Sequence, residues 1–183
     1  TQVLLKDQFY NQELATKLAD ELSKYVSVNK ETFVTELTSQ FPELELLGRN
    51  TACVKMMHKV LPNKFEEAIP IILKISPEIK DFANIMFPEY VSTYGLESPV
   101  GLNALKELTQ YSSSEFAIRH FLRKDFDTTL NTMIDWADDD NEHIRRLASE
   151  GCRHRLPWSF KFKNIEENPA LTLPILEKLK ADE

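Results

Sequence analysis

The sequence predicts an all-α fold, a right-handed stack of paired helices forming an α-solenoid with no sheet, and three observations predict it. Only 4 glycines stand against 11 phenylalanines in 183 residues, a small allowance for tight turns. Apolar residues recur at three- and four-residue spacing through most of the chain. No stretch alternates apolar and polar residues for long enough to make a strand.

The elements follow in order. Leu14, Leu18, Leu22 and Val26 stripe one face of a helix over 13–26, with charged residues between them. Phe33, Val34 and Leu37 predict a second helix over 30–40. Further helices are expected over 44–61, 65–75, 82–94 and 102–111, divided at Pro62, Pro77, Pro88 or Pro99 and at Gly95. Pro70 and Pro88 also fit inside helices, as a kink or at a first-turn position.

The second half repeats. Phe126, Leu130, Met133 and Trp136 stripe one helix, Asp138, Asp139 and Asp140 make an acidic turn, and Asn141 caps a second helix that opens with Ile144 and Arg145. A helix, an aspartate-rich turn and a second helix with an Ile-Arg step is the grammar of HEAT-like repeats. An earlier copy runs through 105–119, with Ser112, Ser113 and Ser114 as its turn and Ile118-Arg119 as its step, 26 residues before Ile144-Arg145. A third begins over 169–180 with Leu171, Leu173, Leu176 and Leu179, and runs into Ala181-Asp182-Glu183 without a partner helix. The expected organisation is one HEAT-like repeat domain over 1–183, truncated at its C-terminal end.

Charge is unevenly spread. The 22 Lys and Arg against 29 Asp and Glu give a net charge of −7, which by itself speaks against nucleic acid. Over 141–163, however, Arg145, Arg146, Arg153, Arg155, Lys161 and Lys163 against Glu142 and Glu150 make a local net of +4. That segment is interleaved with Trp158, Phe160 and Phe162, a pattern that suits a polyanion: arginines for phosphates, aromatic rings for bases or sugars. A solvated helix end with aromatic anchors in the core is the simpler alternative.

Two acids interrupt the basic ground. Glu115 opens one repeat helix and Glu150 sits on the next, so the two carboxylates are expected to face one groove, where they could stabilise a developing cation or orient water. The simpler reading makes each the salt-bridge partner of a nearby arginine. Cys53 and Cys152 stand 99 residues apart and require no oxidising compartment. The four histidines fall into no metal-binding spacing, and neither a metal nor a cofactor is expected. No secretory signal is visible at Thr1-Gln2-Val3, and no apolar run approaches the roughly 20 residues that span a bilayer, so the expected location is the cytoplasm.

The stretches 113–122, Ser-Ser-Glu-Phe-Ala-Ile-Arg-His-Phe-Leu, and 144–158, Ile-Arg-Arg-Leu-Ala-Ser-Glu-Gly-Cys-Arg-His-Arg-Leu-Pro-Trp, resemble the DNA alkylation repair glycosylases of the AlkC type, relatives of the AlkD-type HEAT-like glycosylases. The family pattern has Pro, Thr and Pro where His120, Cys152 and His154 stand here. Weaker similarity runs forward through 41–46 and 60–65.

The resemblance implies an enzyme that hydrolyses the N-glycosidic bond of N-methylated, cationic bases such as 3-methyladenine. It implies no metal or cofactor. Glu115, Glu150 and Trp158 match the acidic and aromatic residues of the family's lesion pocket, and a catalytic aspartate is implied on a helix beyond Glu183. A cationic base is already an activated leaving group, so the carboxylates need only stabilise an oxocarbenium-like sugar and position water, while the Trp158 ring holds the cationic base or the sugar edge through its negative face. The implied partner is double-stranded DNA containing alkylated bases, bound by Arg119, Arg145, Arg146, Arg153, Arg155, Lys161 and Lys163, with the base left stacked and the protein a monomer away from membranes. The alternative function is a non-catalytic HEAT-like module that binds DNA or a protein.

Overall fold

The computed structural model describes residues 3–182, and they form an all-α fold with no strand among the described residues. The helices are α1 (Leu5–Phe9), α2 (Gln12–Ser23), α3 (Lys30–Thr38), α4 (Leu46–Val60), α5 (Phe65–Ile75), α6 (Met86–Tyr94), α7 (Gly101–Leu108), α8 (Glu115–Lys124), α9 (Phe126–Trp136), α10 (Glu142–Gly151), α11 (Lys163–Glu167) and α12 (Leu173–Leu179). Each long helix expected from periodicity is present, and residues 65–75 match to the residue.

Local chemistry sets the starts. Asn11, Asn29, Asp125 and Asn141 each accept a backbone N–H of the first turn that follows, at 2.9 to 3.2 Å, satisfying a donor that has no partner inside its helix. Pro88 is the third residue of α6, where the missing N–H costs no helical bond. Pro70 lies inside α5 and removes one bond from its ladder. The stripe of α2 buries Ala15, Leu18, Ala19 and Leu22, but the helix ends at Ser23, so Val26 packs from the following turn. Of the expected third repeat, 169–172 is a 3-10 turn and α12 covers the rest; Ile175 is its buried anchor, whereas Leu173 and Leu176 are exposed. The start at Thr1-Gln2 and the acidic end at Glu183 lie outside the described residues.

Helices α4, α6, α8 and α10 pack in succession to make one layer. A second layer of α5, α7, α9 and α12 lies behind it, each helix paired with members of the first. Gly151 sets how closely α10 approaches α8: a Cβ there would lie 2.7 Å from Ile118 Cγ2 and 3.0 Å from Met133 Cε. No described helix is long and apolar enough to cross a membrane.

Candidate functional site

Three contiguous clefts run along the first layer. The first, about 410 Å³, lies between α4, α6 and α8, under Trp158. The second, about 190 Å³, holds Glu115 at the start of α8, and the third holds Glu150 near the end of α10. Ser113 lines the first and second; His143 and Arg146 line the second and third. Glu115 and Glu150 therefore line adjoining clefts that share His143 and Arg146, and Trp158 stands over the first cleft.

The two acids differ in their surroundings. Glu115 accepts a hydrogen bond from the Ser113 hydroxyl, which in turn accepts the Glu115 backbone N–H at 3.3 Å. Glu150 pairs with Arg153 at 2.9 Å across one turn. For Glu150 the salt bridge is present, and for Glu115 no ion pair is found among the described residues.

Trp158 is held by a turn whose sequence explains its shape. Leu156 is buried as an anchor, Pro157 fixes the backbone after it, and the Ser159 N–H returns to the Leu156 carbonyl at 3.1 Å. That turn demands positive φ at its third residue, and Trp158 has φ 63°, a position that glycine usually occupies. The indole is 72% exposed. A bulky residue in left-handed backbone persists only where its surroundings hold it there.

Arg119 supplies that hold. Its side chain is 0% exposed. The guanidinium donates to Ser159 Oγ at 2.9 Å, to the Arg153 carbonyl at 2.6 Å, to the Gly151 carbonyl at 3.4 Å and to the Phe160 carbonyl. It also lies 4.4 Å from the ring centre of Phe162 and 5.4 Å from that of Phe160. Burial, and secondarily Arg123, lower its pKa to about 10, which leaves it charged at neutral pH. The assignment of Arg119 as a DNA ligand is therefore corrected: it has no surface to offer a phosphate, because helix register turns it inward with Ile118 and Leu122.

The other basic residues divide. Arg145 pairs with Asp182 at 2.8 Å and donates to the Asp139 and Asp140 carbonyls, so it staples the acidic turn, and its assignment as a phosphate ligand is weakened in the same way. Arg146, Arg153, Arg155, Lys161 and Lys163 are exposed. Cys152 is buried and donates to the Ser149 carbonyl at 3.2 Å; burial pushes its thiol up to about 11, so it is a neutral packing group. His120, which lines the first cleft edge-on to Phe160, is held below the usual imidazole range, first by burial and then by Arg123.

Sequence reasoning missed the floor of the first cleft. Glu89 accepts from Thr51 Oγ1 at 2.6 Å and from Asn50 Nδ2, and Asn50 Oδ1 accepts the hydroxyl of fully buried Tyr10 at 2.7 Å. The available signal was Asn50, a polar residue in the apolar stripe of α4 that the structure buries to 2% exposure.

No protein-family model matches the chain. It is 40% identical over 179 residues to YhaZ, an uncharacterized protein of Bacillus subtilis, which covers 96% of this chain and 50% of that protein. Its structure is similar to that of an alkylpurine DNA glycosylase, AlkC of Pseudomonas fluorescens, bound to DNA containing an abasic site analog. The TM-score is 0.92 at 36% identity, covering 100% of this chain and 52% of that one. The chain thus spans about half the length of the relatives it matches, and the AlkC-type resemblance of residues 113–122 and 144–158 extends over all of it.

Proposed function

We propose that this AlkC-type chain is part of a DNA repair glycosylase that removes alkylated bases, 3-methyladenine among them. The observation that carries the reading is the Leu156–Pro157–Trp158 turn: an indole displayed in strained backbone, clamped from beneath by buried Arg119, over a cleft that adjoins that of Glu115. Binding scaffolds have no need to store strain under one exposed aromatic residue, whereas sites that must hold a group in one place do.

The chemistry follows from the base. Methylation on a ring nitrogen makes it cationic, and the Trp158 face attracts it. When the C1′–N bond breaks, its electron pair goes to the base, which leaves neutral, and the positive charge passes to the sugar. Glu115 and Glu150 then stabilise the oxocarbenium-like sugar and orient the water that attacks C1′, accepting the proton it loses. Arg146, Arg153, Arg155, Lys161 and Lys163 form the phosphate-facing rim, with the base left stacked in the duplex and no metal or cofactor taking part. The proposal includes a further catalytic aspartate from the part of the relatives' length that this chain does not span.

In the intact protein, Glu150→Gln should lower single-turnover release of 3-methyladenine from alkylated duplex DNA on the order of 100-fold or more, with DNA binding nearly unchanged. Unchanged release would sink the reading. The competing reading, a non-catalytic DNA- or protein-binding module, draws on the Glu150–Arg153 ion pair, and it predicts DNA binding with no release from the unmutated protein.

A further inference from the structure

We propose that the cleft between α4, α6 and α8 is a subsite for the released base: it takes the amino-bearing edge of a free methylated adenine on Glu89 and one of its faces on Trp158. The inference rests on the glycosylase reading above and extends it to residues outside the Glu115 and Glu150 clefts.

Glu89 is a half-buried carboxylate on the wall of a cleft of about 410 Å³. Its partners are the neutral side chains of Asn50 and Thr51, and it makes no ion pair among the described residues. A carboxylate offers about four lone-pair positions, so two donors leave acceptor capacity facing the cleft. The relay from Tyr10 through Asn50 fixes the carboxylate in place, since Tyr10 is 0% and Asn50 2% exposed. The remaining walls include Phe116, Phe160 and His120, with Trp158 at the rim.

Flat aromatic walls and one fixed anionic acceptor select a flat ring that carries N–H donors. They reject a phosphate, which the carboxylate repels, and disfavour a base that sets a carbonyl oxygen against the carboxylate, where two acceptors meet in place of a donor and an acceptor. Adenine presents an amino group; hypoxanthine presents a carbonyl in its place. Because the cleft adjoins that of Glu115 at Ser113 and carries Trp158 at its own rim, a base freed at the Trp158 face has only to slide inward.

The experiment is a titration of the purified protein with free 3-methyladenine, read by fluorescence, since Trp158 is exposed and Trp136 only 6% exposed. Saturable quenching is expected, at least tenfold weaker with hypoxanthine and with Glu89→Gln. Ser92→Phe, which fills the cleft from α6, should abolish it and provides the test should the Glu89 variant not fold. Equal binding of both bases, or quenching unaltered by Ser92→Phe, would overturn the subsite. Base excision without free-base binding overturns the subsite and leaves the glycosylase reading intact; binding without excision does the reverse.

Discussion

Two buried arginines anchor the two ends of this molecule, and they do opposite things with the same chemistry. Arg49, on α4, donates to the carbonyls of Lys6, Tyr10, Phe41 and Leu44, stacks 5.2 Å over Phe41 and pairs with Asp7 at 2.8 Å. Arg119, on α8, also binds backbone carbonyls and aromatic rings, but its remaining partner is the Ser159 hydroxyl, and no carboxylate pairs with it among the described residues. Arg49 closes ordinary backbone around α1; Arg119 closes a loop whose exposed tip, Trp158, has positive φ. A counter-ion suits a joint that only has to hold. A guanidinium left without one, packed against rings, spends its binding on shaping a loop.

The comparison can be broken most directly by Arg119→Met beside Arg49→Met. Each should cost about 3–5 kcal/mol in denaturant unfolding, because carbonyls, and for Arg49 also a carboxylate, lose their donors. Only Arg119→Met should change Trp158 fluorescence in the still-folded protein and reduce base release on the order of 100-fold. Equal effects of the two variants on Trp158 would erase the distinction. Trp158→Gly sharpens it: relief of the left-handed strain should leave stability unchanged or raise it by about 1 kcal/mol while base release falls steeply.

The smallest expected effect concerns the acidic turn. Hydrogen bonding from Lys106, then from the Asn141 N–H, holds the Asp139 carboxyl below its usual range. Its folded pKa is depressed, so its stabilisation is present above the unfolded value and is lost as pH falls through the lower folded one. Asp139→Asn should flatten this slight acid-side fall in melting temperature, and an unaltered slope would place the effect elsewhere.

Much of this was legible from composition and spacing, for identifiable reasons. Helices of three turns or more declared themselves through stripes such as Leu14, Leu18 and Leu22, and through capping side chains such as Asn141. Short α1 and α11 did not, since five residues carry too little periodicity to detect. Trp158 was legible because it ends a distinctive motif. Arg119 was misjudged because a basic residue in a basic segment suggests a surface, while its direction depends on packing that only the fold reveals. The Glu89 floor was invisible for another reason: Asn50, Glu89 and Phe116 come from three helices, and nothing in the order of residues brings them together.

Tyr10 joins the Arg49 joint to the cleft of Glu89. Its carbonyl accepts from Arg49 at 2.8 Å, and its hydroxyl reaches Asn50, which holds Glu89. In the language of inheritance, if the cleft is the proposed subsite, a substitution near the start of the chain that would be scored as a mere folding defect is also a distant edit of ligand preference. On that proposal, a change at this tyrosine alters what the cleft accepts while every residue lining it stays the same.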